Sequence, residues 1–425
     1  MWLSLWLFSA ALGAEVPTID LAEAVRRVES DNPDLSAMRA KVEEARAMAT
    51  IAHAPMLPAL SVTGSYARND KEVSLAFGDL INGLGLPIQI DPSKLPDPTV
   101  IQPLDAFSVS ASARVPILTP SSIGDSMAAT SQISAARATV DSTRLALETA
   151  VVQACAMSQA AEGVAEAARR AESVAAAHRD ATQRAVDAGT ATHLALVQAE
   201  ADVVRRQSDV VQAEANVDSG RRALGVLLGM DGPVRITVPD LSGDVSARKH
   251  PDLITAEARA DAAEKALLAA RLRYSPNLSA WGTAAASTSP YVTGNKTLWK
   301  VGVDLSWTLV DGGAREGRMA AAVAQAEAAR DALRSTQLKL VQAEADAESA
   351  LAVARERLTL ANTQRDLARE AETTALRGVS AGTVTALEGR DAEDRAFSAD
   401  VGVAAAAAQV VVAQAGLRRA KGVAW

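Results

Sequence analysis

The chain has 425 residues with 43 basic and 51 acidic side chains, a net charge of −8 and no basic stripe, so nucleic acid is not an expected partner. A hydrophobic share of 48% argues against wholesale disorder; an aromatic share of 3%, beside Ala at roughly one residue in five, points to helices packed along narrow seams. One cysteine, Cys155, excludes an internal disulfide and a Cys-based metal site, and His53, His178, His193 and His250 show no ligand spacing. No cofactor motif or catalytic constellation stands out, and no enzyme activity, cofactor or metal is expected.

Residues 1–13 form an apolar run ending in Ala11-Leu12-Gly13, the small-x-small pattern of a signal peptide cleaved after Gly13. No cysteine follows the cleavage point, so no lipid anchor is expected there. Further on, no charge-free stretch of ~20 strongly apolar residues occurs. Residues 401–416 come closest, but they are mostly Ala and carry Gln409 and Gln414. The expectation is an exported protein without a helical membrane span.

The rest of the chain is an internal repeat. Asn32-Pro33-Asp34-Leu35 recurs as His250-Pro251-Asp252-Leu253 at an offset of 218, which also pairs Pro58 with Pro276 and Gly64 with Gly282. Gly189-Thr190-Ala191-Thr192-His193-Leu194 recurs as Gly382-Thr383-Val384-Thr385-Ala386-Leu387 at an offset of 193. The repeats are placed at 14–229 and 230–425. The first is longer, and residues 71–105, dense in Pro and Gly, hold the excess as a loop expected to form neither helix nor strand.

Around that loop the period changes to two. Residues 59–67 alternate Leu60, Val62 and Tyr66 with Ser61, Thr63 and Ser65; residues 107–117 alternate Phe107, Val109 and Val115 with Ser108, Ser110, Ser112 and Arg114. In the second repeat, residues 299–309 alternate Trp299, Val301, Val303, Leu305, Trp307 and Leu309 with Lys300, Gly302, Asp304, Ser306 and Thr308. Residues 277–286 follow less cleanly, because Trp281 falls on the polar parity and leaves the register open. Hairpins at about 59–118 and 277–309, with strands of roughly ten residues and aromatics near their ends, have the dimensions of bilayer-crossing β-strands. Four such strands cannot close a barrel, so several chains must pool them.

Helices follow each hairpin. Pro is absent from about Ile123 to Ala188 and from about Arg315 to Ala381, runs of roughly 65 residues or ~100 Å each. Gly189 and Gly382 supply left-handed stops, after which helices restart and run to about Leu228 and Arg419. Charges on most turns leave thin Ala seams, as expected of helices with water on both sides. Bland roles are expected for Cys155, as a small buried residue, and for His193, as a solvated turn residue.

The duplicated Pro-Asp-Leu starts, Pro58 and Pro276 before the strands, Trp307-Thr308-Leu309-Val310-Asp311-Gly312-Gly313 at a strand-to-helix junction and the two Gly-Thr-x-Thr-x-Leu turns together resemble the TolC family of outer-membrane efflux proteins over nearly the whole mature chain. Thr119-Pro120-Ser121-Ser122 departs from the Asp-Gly-Gly junction in the first repeat. The resemblance implies a mainly α fold with membrane β-hairpins. It implies a homotrimer with a twelve-stranded β-barrel in outer-membrane lipid, four strands per chain, and a trimeric α-barrel tunnel through the periplasm. Pro233–Asp244 would supply a strand of an equatorial belt. A periplasmic adaptor and an inner-membrane pump would meet the tips at Gly189, Thr190, Thr192, Gly382, Thr383 and Thr385. Glu388 and Asp391 match the acidic residues that ring the closed periplasmic entrance, with Arg390 between them as a counter-ion for either. Thr385-Ala386-Leu387-Glu388 also reads as a capping box, and the first repeat has Ala195 and Gln198 at the acidic positions. The implied function is a passive exit duct of a tripartite efflux or type I secretion system. A secreted coiled-coil scaffold or adhesin would share the helices and leave the strands unexplained.

Overall fold

A computed structural model of the chain describes residues 16–76, 98–237, 249–288, 296–423 and 425. Residues 1–13, expected to be a signal peptide, and most of the long loop lie outside them. The elements are β1 (Thr18–Asp20), α1 (Leu21–Asp31), α2 (Pro33–His53), β2 (Ala59–Arg68), β3 (Val73–Leu75), β4 (Thr99–Gln102), β5 (Asp105–Leu118), α3 (Pro120–Asp187) and α4 (His193–Leu227). They continue with β6 (Arg235–Thr237), α5 (Pro251–Leu272), β7 (Asn277–Ser287), β8 (Thr297–Ser306), α6 (Ala314–Ser380) and α7 (Ala386–Ala420). Two compact units divide the chain: one combines Glu44–Ile133 with Arg259–Arg330, the other the remaining segments.

The first unit holds an antiparallel sheet in the order β2-β5-β7-β8. Its register keeps the two faces apart. Ser61, Thr63 and Ser65 stand opposite Ser112, Ser110 and Ser108, whereas Leu60, Val62 and Tyr66 stand opposite Ala113, Ala111 and Phe107. Ser61 and Ser65 exchange 2.7 Å hydrogen bonds with Ser112 and Ser108, so hydroxyls pair across the ladder on the wet face. The other face leaves Leu60, Trp299, Val301 and Leu305 between 69% and 75% exposed, an apolar band of the kind lipid covers. Pairing also fixes the third strand: Trp281 lies between Arg114 and Gly302, on the wet face.

Two details correct the sequence reading. Strand β8 stops at Ser306, which pairs with Asn277, the first residue of β7. The alternation continues through Trp307 and Leu309, but β7 begins at Asn277 and leaves them no partner among the described strands of the chain. The loop is not wholly without strands either. Val73–Leu75 and Thr99–Gln102 pair antiparallel, with a register shift at Val73/Ser74. These short segments flank the Gly- and Pro-dense centre and have β-branched residues to spend on a ladder.

The two strand-to-helix junctions differ in chemistry. After β8, Asp311 Oδ2 accepts from the Arg315 backbone N–H at 3.1 Å and from Arg315 Nε at 3.1 Å, while Gly312 and Gly313 take φ of 69° and 88°. After β5, Pro120 opens α3 directly, a position where its fixed φ suits the first turn and its missing N–H costs nothing.

In the second unit, Leu21, Val25, Val28, Val151, Val152, Leu224, Leu228, Val234 and Ile236 form a core around Cys155. Burial pushes the Cys155 thiol up to about 12, so it stays protonated and inert. Within the segment 233–244 the described residues include β6, which pairs in parallel with β1; residues beyond Thr237 in that segment lie outside the described residues. Helices α3 and α4 meet through Ala165, Ala168, Ala213 and Val217. Helices α6 and α7 meet through Leu351, Ala354 and Ala413. Among the described residues α7 is the helix long and apolar enough to cross a membrane. Its Ala seam packs against the neighbouring helices, with Ala396, Ala399, Ala408, Ala413 and Ala415 buried.

Candidate functional site

Helix α3 ends where Gly189 adopts φ 71°, which an L side chain rarely tolerates. The Thr190 and Ala191 N–H groups then donate back to Ala185 O at 2.8 and 3.1 Å. The α6 end repeats this: Gly382 has φ 71°, and Thr383 and Val384 donate to Gly378 O at 2.9 and 3.2 Å. Both are Schellman-type stops that satisfy carbonyls of the last helical turn. Thr190 Oγ1 and Thr383 Oγ1 bond the same carbonyls at 3.0 and 3.2 Å. Thr192 and Thr385 then cap the next helices, accepting from the N–H of Ala195 and Glu388. The six tip residues thus form two matching turns.

The acidic pair belongs to the second turn alone. Glu388 closes a capping box: its Oε2 accepts from Thr385 N–H at 2.9 Å and from Thr385 Oγ1 at 2.8 Å. The Thr385 backbone bond holds its carboxyl below the usual range. Asp391 sits one turn on, in a 2.6 Å ion pair with Arg395, and both remain exposed. Arg390, expected beside Glu388 or Asp391, instead pairs with Asp202 of α4 at 2.8 Å. Helical geometry explains the difference, since adjacent residues point about 100° apart and Arg390 faces the neighbouring helix.

Above this turn lies a charged cluster that sequence reasoning missed. Asp400 is buried between Arg369 of α6, at 2.8 Å, and Arg170 of α3. Arg206 of α4 is buried too, pairs with Asp394, and lies 5.0 Å from the Phe397 ring centroid. Glu393 is 8% exposed and its Oε1 has no hydrogen-bond partner. Burial, reinforced by nearby Glu372, pushes its carboxyl up to about 7. Glu372 is itself raised by burial, and burial lowers His178, which faces Asp202 and Arg390. One signal was legible: Glu393 and Asp400 are seven residues apart on the stripe of Ala392, Ala396 and Ala399, where a seam should be apolar. No group of His, Cys, Asp and Glu among the described residues is arranged to hold a metal ion.

The family described as outer membrane efflux protein matches residues 24–230 and 244–423. Curated proteins give no match. Among solved structures, a membrane protein from Pseudomonas aeruginosa is 20% identical at TM-score 0.79, over 96% of this chain and 92% of its own. The outer membrane protein VceC from Vibrio cholerae is 17% identical at TM-score 0.76, over 95% and 96%. The Campylobacter jejuni CmeC outer membrane channel is 16% identical at TM-score 0.78, over 95% and 85%. At these identities the likeness is one of fold: long helical hairpins with four strands per chain.

Proposed function

This chain belongs to the outer membrane efflux protein family, and from that premise we propose that it works as the exit duct of a tripartite efflux or type I secretion system. It resides in the outer membrane and extends into the periplasm. The observation that carries the reading is the four-stranded sheet with β2 and β8 at its free edges, a hydroxyl-lined face and an apolar face. Backbone groups at an open edge cannot be left unpaired in lipid, so copies must join edge to edge. Three copies close a twelve-stranded barrel whose bore is the serine-lined face. A scaffold or adhesin would have no use for such a sheet.

Within this reading the duct is passive: cargo arrives from an inner-membrane pump through a periplasmic adaptor that docks on the turns at Gly189–Thr192 and Gly382–Thr385. Asp391, with Glu388, forms the acidic gate of the periplasmic entrance, three carboxylates of each kind in the trimer. Such a ring draws cations and narrows the bore. Asp391 carries the larger share, because the capping box engages Glu388.

Single-channel conductance of the purified protein in a planar bilayer tests this. Small, cation-selective steps are expected in the wild type, with larger and less selective steps in Asp391→Ala and a weaker change in Glu388→Ala. Steps unchanged by either substitution would remove the gate and keep the duct. A protein that never inserts would remove both.

A further inference from the structure

The wet face of the sheet is a surface of small residues apart from Leu298 and one cluster of larger side chains. Ser61, Thr63 and Ser65 on β2 and Ser108, Ser110 and Ser112 on β5 give it hydroxyls and little relief. On the same face, in adjacent register positions, stand Arg114, Trp281, Lys300 and Asp304. Those three charged residues are the only ones at this parity within the four strands, and they sum to +1.

The indole is held in a definite place. It lies against Gly302 across the β7–β8 ladder, where an added Cβ would come within 2.9 Å of Cε2 and Cζ2. A glycine there makes room for the ring, which stays partly exposed. On its other side Arg114 is its register partner; Nη1 donates to Ser279 Oγ at 3.1 Å, Nη2 lies 3.8 Å from Asp304 Oδ2, and the side chain stays 62% exposed. Between Ser61, Ser112, Arg114, Trp281 and Thr283 is a recess of about 310 Å³, comparable to the lower end of small-molecule sites.

An indole on a watery wall exposes apolar area that a planar ring would cover, and offset or edge-on ring contact adds to that gain. A guanidinium beside it presents a fork that matches a carboxylate or sulfonate. We infer that Trp281, Arg114 and Lys300 form a contact site for planar aromatic anions on the bore face of the barrel, one per chain. The inference rests on the duct reading for its location, and it assigns that duct a cargo chemistry: Trp281 receives the ring, Arg114 and Lys300 the anionic group.

The test is titration of naphthalene-1-sulfonate onto the full-length protein in lipid nanodiscs, with empty nanodiscs as the blank, alongside blockade of single-channel current by the same probe. The wild type should bind it more tightly than butane-1-sulfonate or naphthalene-1-methanol. Trp281→Ala should weaken binding about five- to tenfold, the size of one aromatic contact, while Trp281→Phe retains most of it. Gly302→Ala should weaken it as well, by displacing the ring without removing a ligand group. Arg114→Gln with Lys300→Gln should abolish the preference over the neutral alcohol. Equal binding by wild type and a folded Trp281→Ala protein would overturn the inference and leave the duct standing. Trp281-dependent binding by a protein that never conducts would keep the site and sink the duct.

Discussion

The turn at Gly189 and the turn at Gly382 share a backbone, down to equal φ of 71° and the same pair of N–H groups returning to one carbonyl. Their side chains diverge at once. The second turn carries Glu388, Asp391 and Arg390; the first has Ala195, Gln198 and Val197 at the equivalent places. The two turns divide their labour. Gly-Thr-x-Thr sets a reversal that both copies need, and the residues three to fifteen positions further on are free to specialise. In the second copy they became a charged node packed against helices α3, α4 and α6.

The sharpest form of that difference is a dipeptide common to both copies. Ala199-Glu200 and Ala392-Glu393 hold one register, yet Glu200 is exposed and Glu393 is buried. The raised carboxyl at Glu393 has a definite sign. Folded chains keep its proton from about pH 4.5 to about 7, where unfolded chains release it. Its contribution to stability is therefore full below about pH 4.5, falls as pH rises through that window, and is gone above it. Glu393→Gln should flatten this slope and, above pH 7, raise the stability of the helical unit by up to about 3 kcal/mol. Glu200→Gln should change neither by more than about 0.5 kcal/mol. Thermal midpoints followed by far-UV circular dichroism between pH 5 and 8 would decide it, and identical slopes for wild type and Glu393→Gln would erase the distinction.

A middle-sized effect lies inside the turns themselves. Where the first copy has Ala185 and Ala191, the second has Gly378 and Val384, and a Cβ on Gly378 would come within 2.4 Å of Val384 Cγ2. Bulk moved from one residue to its neighbour, leaving the turn unchanged. Gly378→Ala alone should overpack the turn by about 1–3 kcal/mol, despite the gain that Ala normally brings to a helix. Adding Val384→Ala restores the first copy's pair and should return the protein to wild-type stability or above. Hydrogen exchange of residues 378–390 reads this locally. Increased protection in the single variant would show that the two turns are not volume-matched after all.

These contrasts mark how far one sequence could be read. Pro and Gly punctuation placed the long helices within a few residues of Pro120–Asp187 and Ala314–Ser380, and period-two patterning placed all four membrane strands. Patterning failed where a partner decides. Trp307 and Leu309 alternate correctly but have no ladder partner within the chain, and Trp281 broke parity because Gly302, not lipid, receives it. The acidic pair and tip turns were visible as local motifs. The node of Arg170, Arg206, Glu372, Glu393 and Asp400 was not, since it draws on four helices whose adjacency no single helix encodes.

The smallest contrast tests whether the copies are interchangeable at all. Asn32 Oδ1 caps α2, accepting from the N–H of Asp34 at 2.9 Å and Leu35 at 3.2 Å, while its Nδ2 donates to Leu227 O at 2.9 Å, tying the cap to the last turn of α4. At the matching position His250 does both with an imidazole: Nδ1 accepts from Asp252 N–H at 3.1 Å, and Nε2 lies 2.9 Å from Arg419 O near the end of α7. A carbonyl only accepts and an amide N–H only donates, so these partners require the neutral ring with its proton on Nε2. Both residues are buried, so a lost partner is not replaced freely by water. His250→Ala should cost about 1 kcal/mol, the usual value of an N-cap. His250→Asn should recover most of it, because the repeat already shows an Asn meeting both demands, and Asn32→His should be tolerated by the same logic. A thermal midpoint for His250→Asn as low as that of His250→Ala would mean that the two joints are built to different lengths, and that the duplicated Pro-Asp-Leu start preserves the helix without preserving its tether.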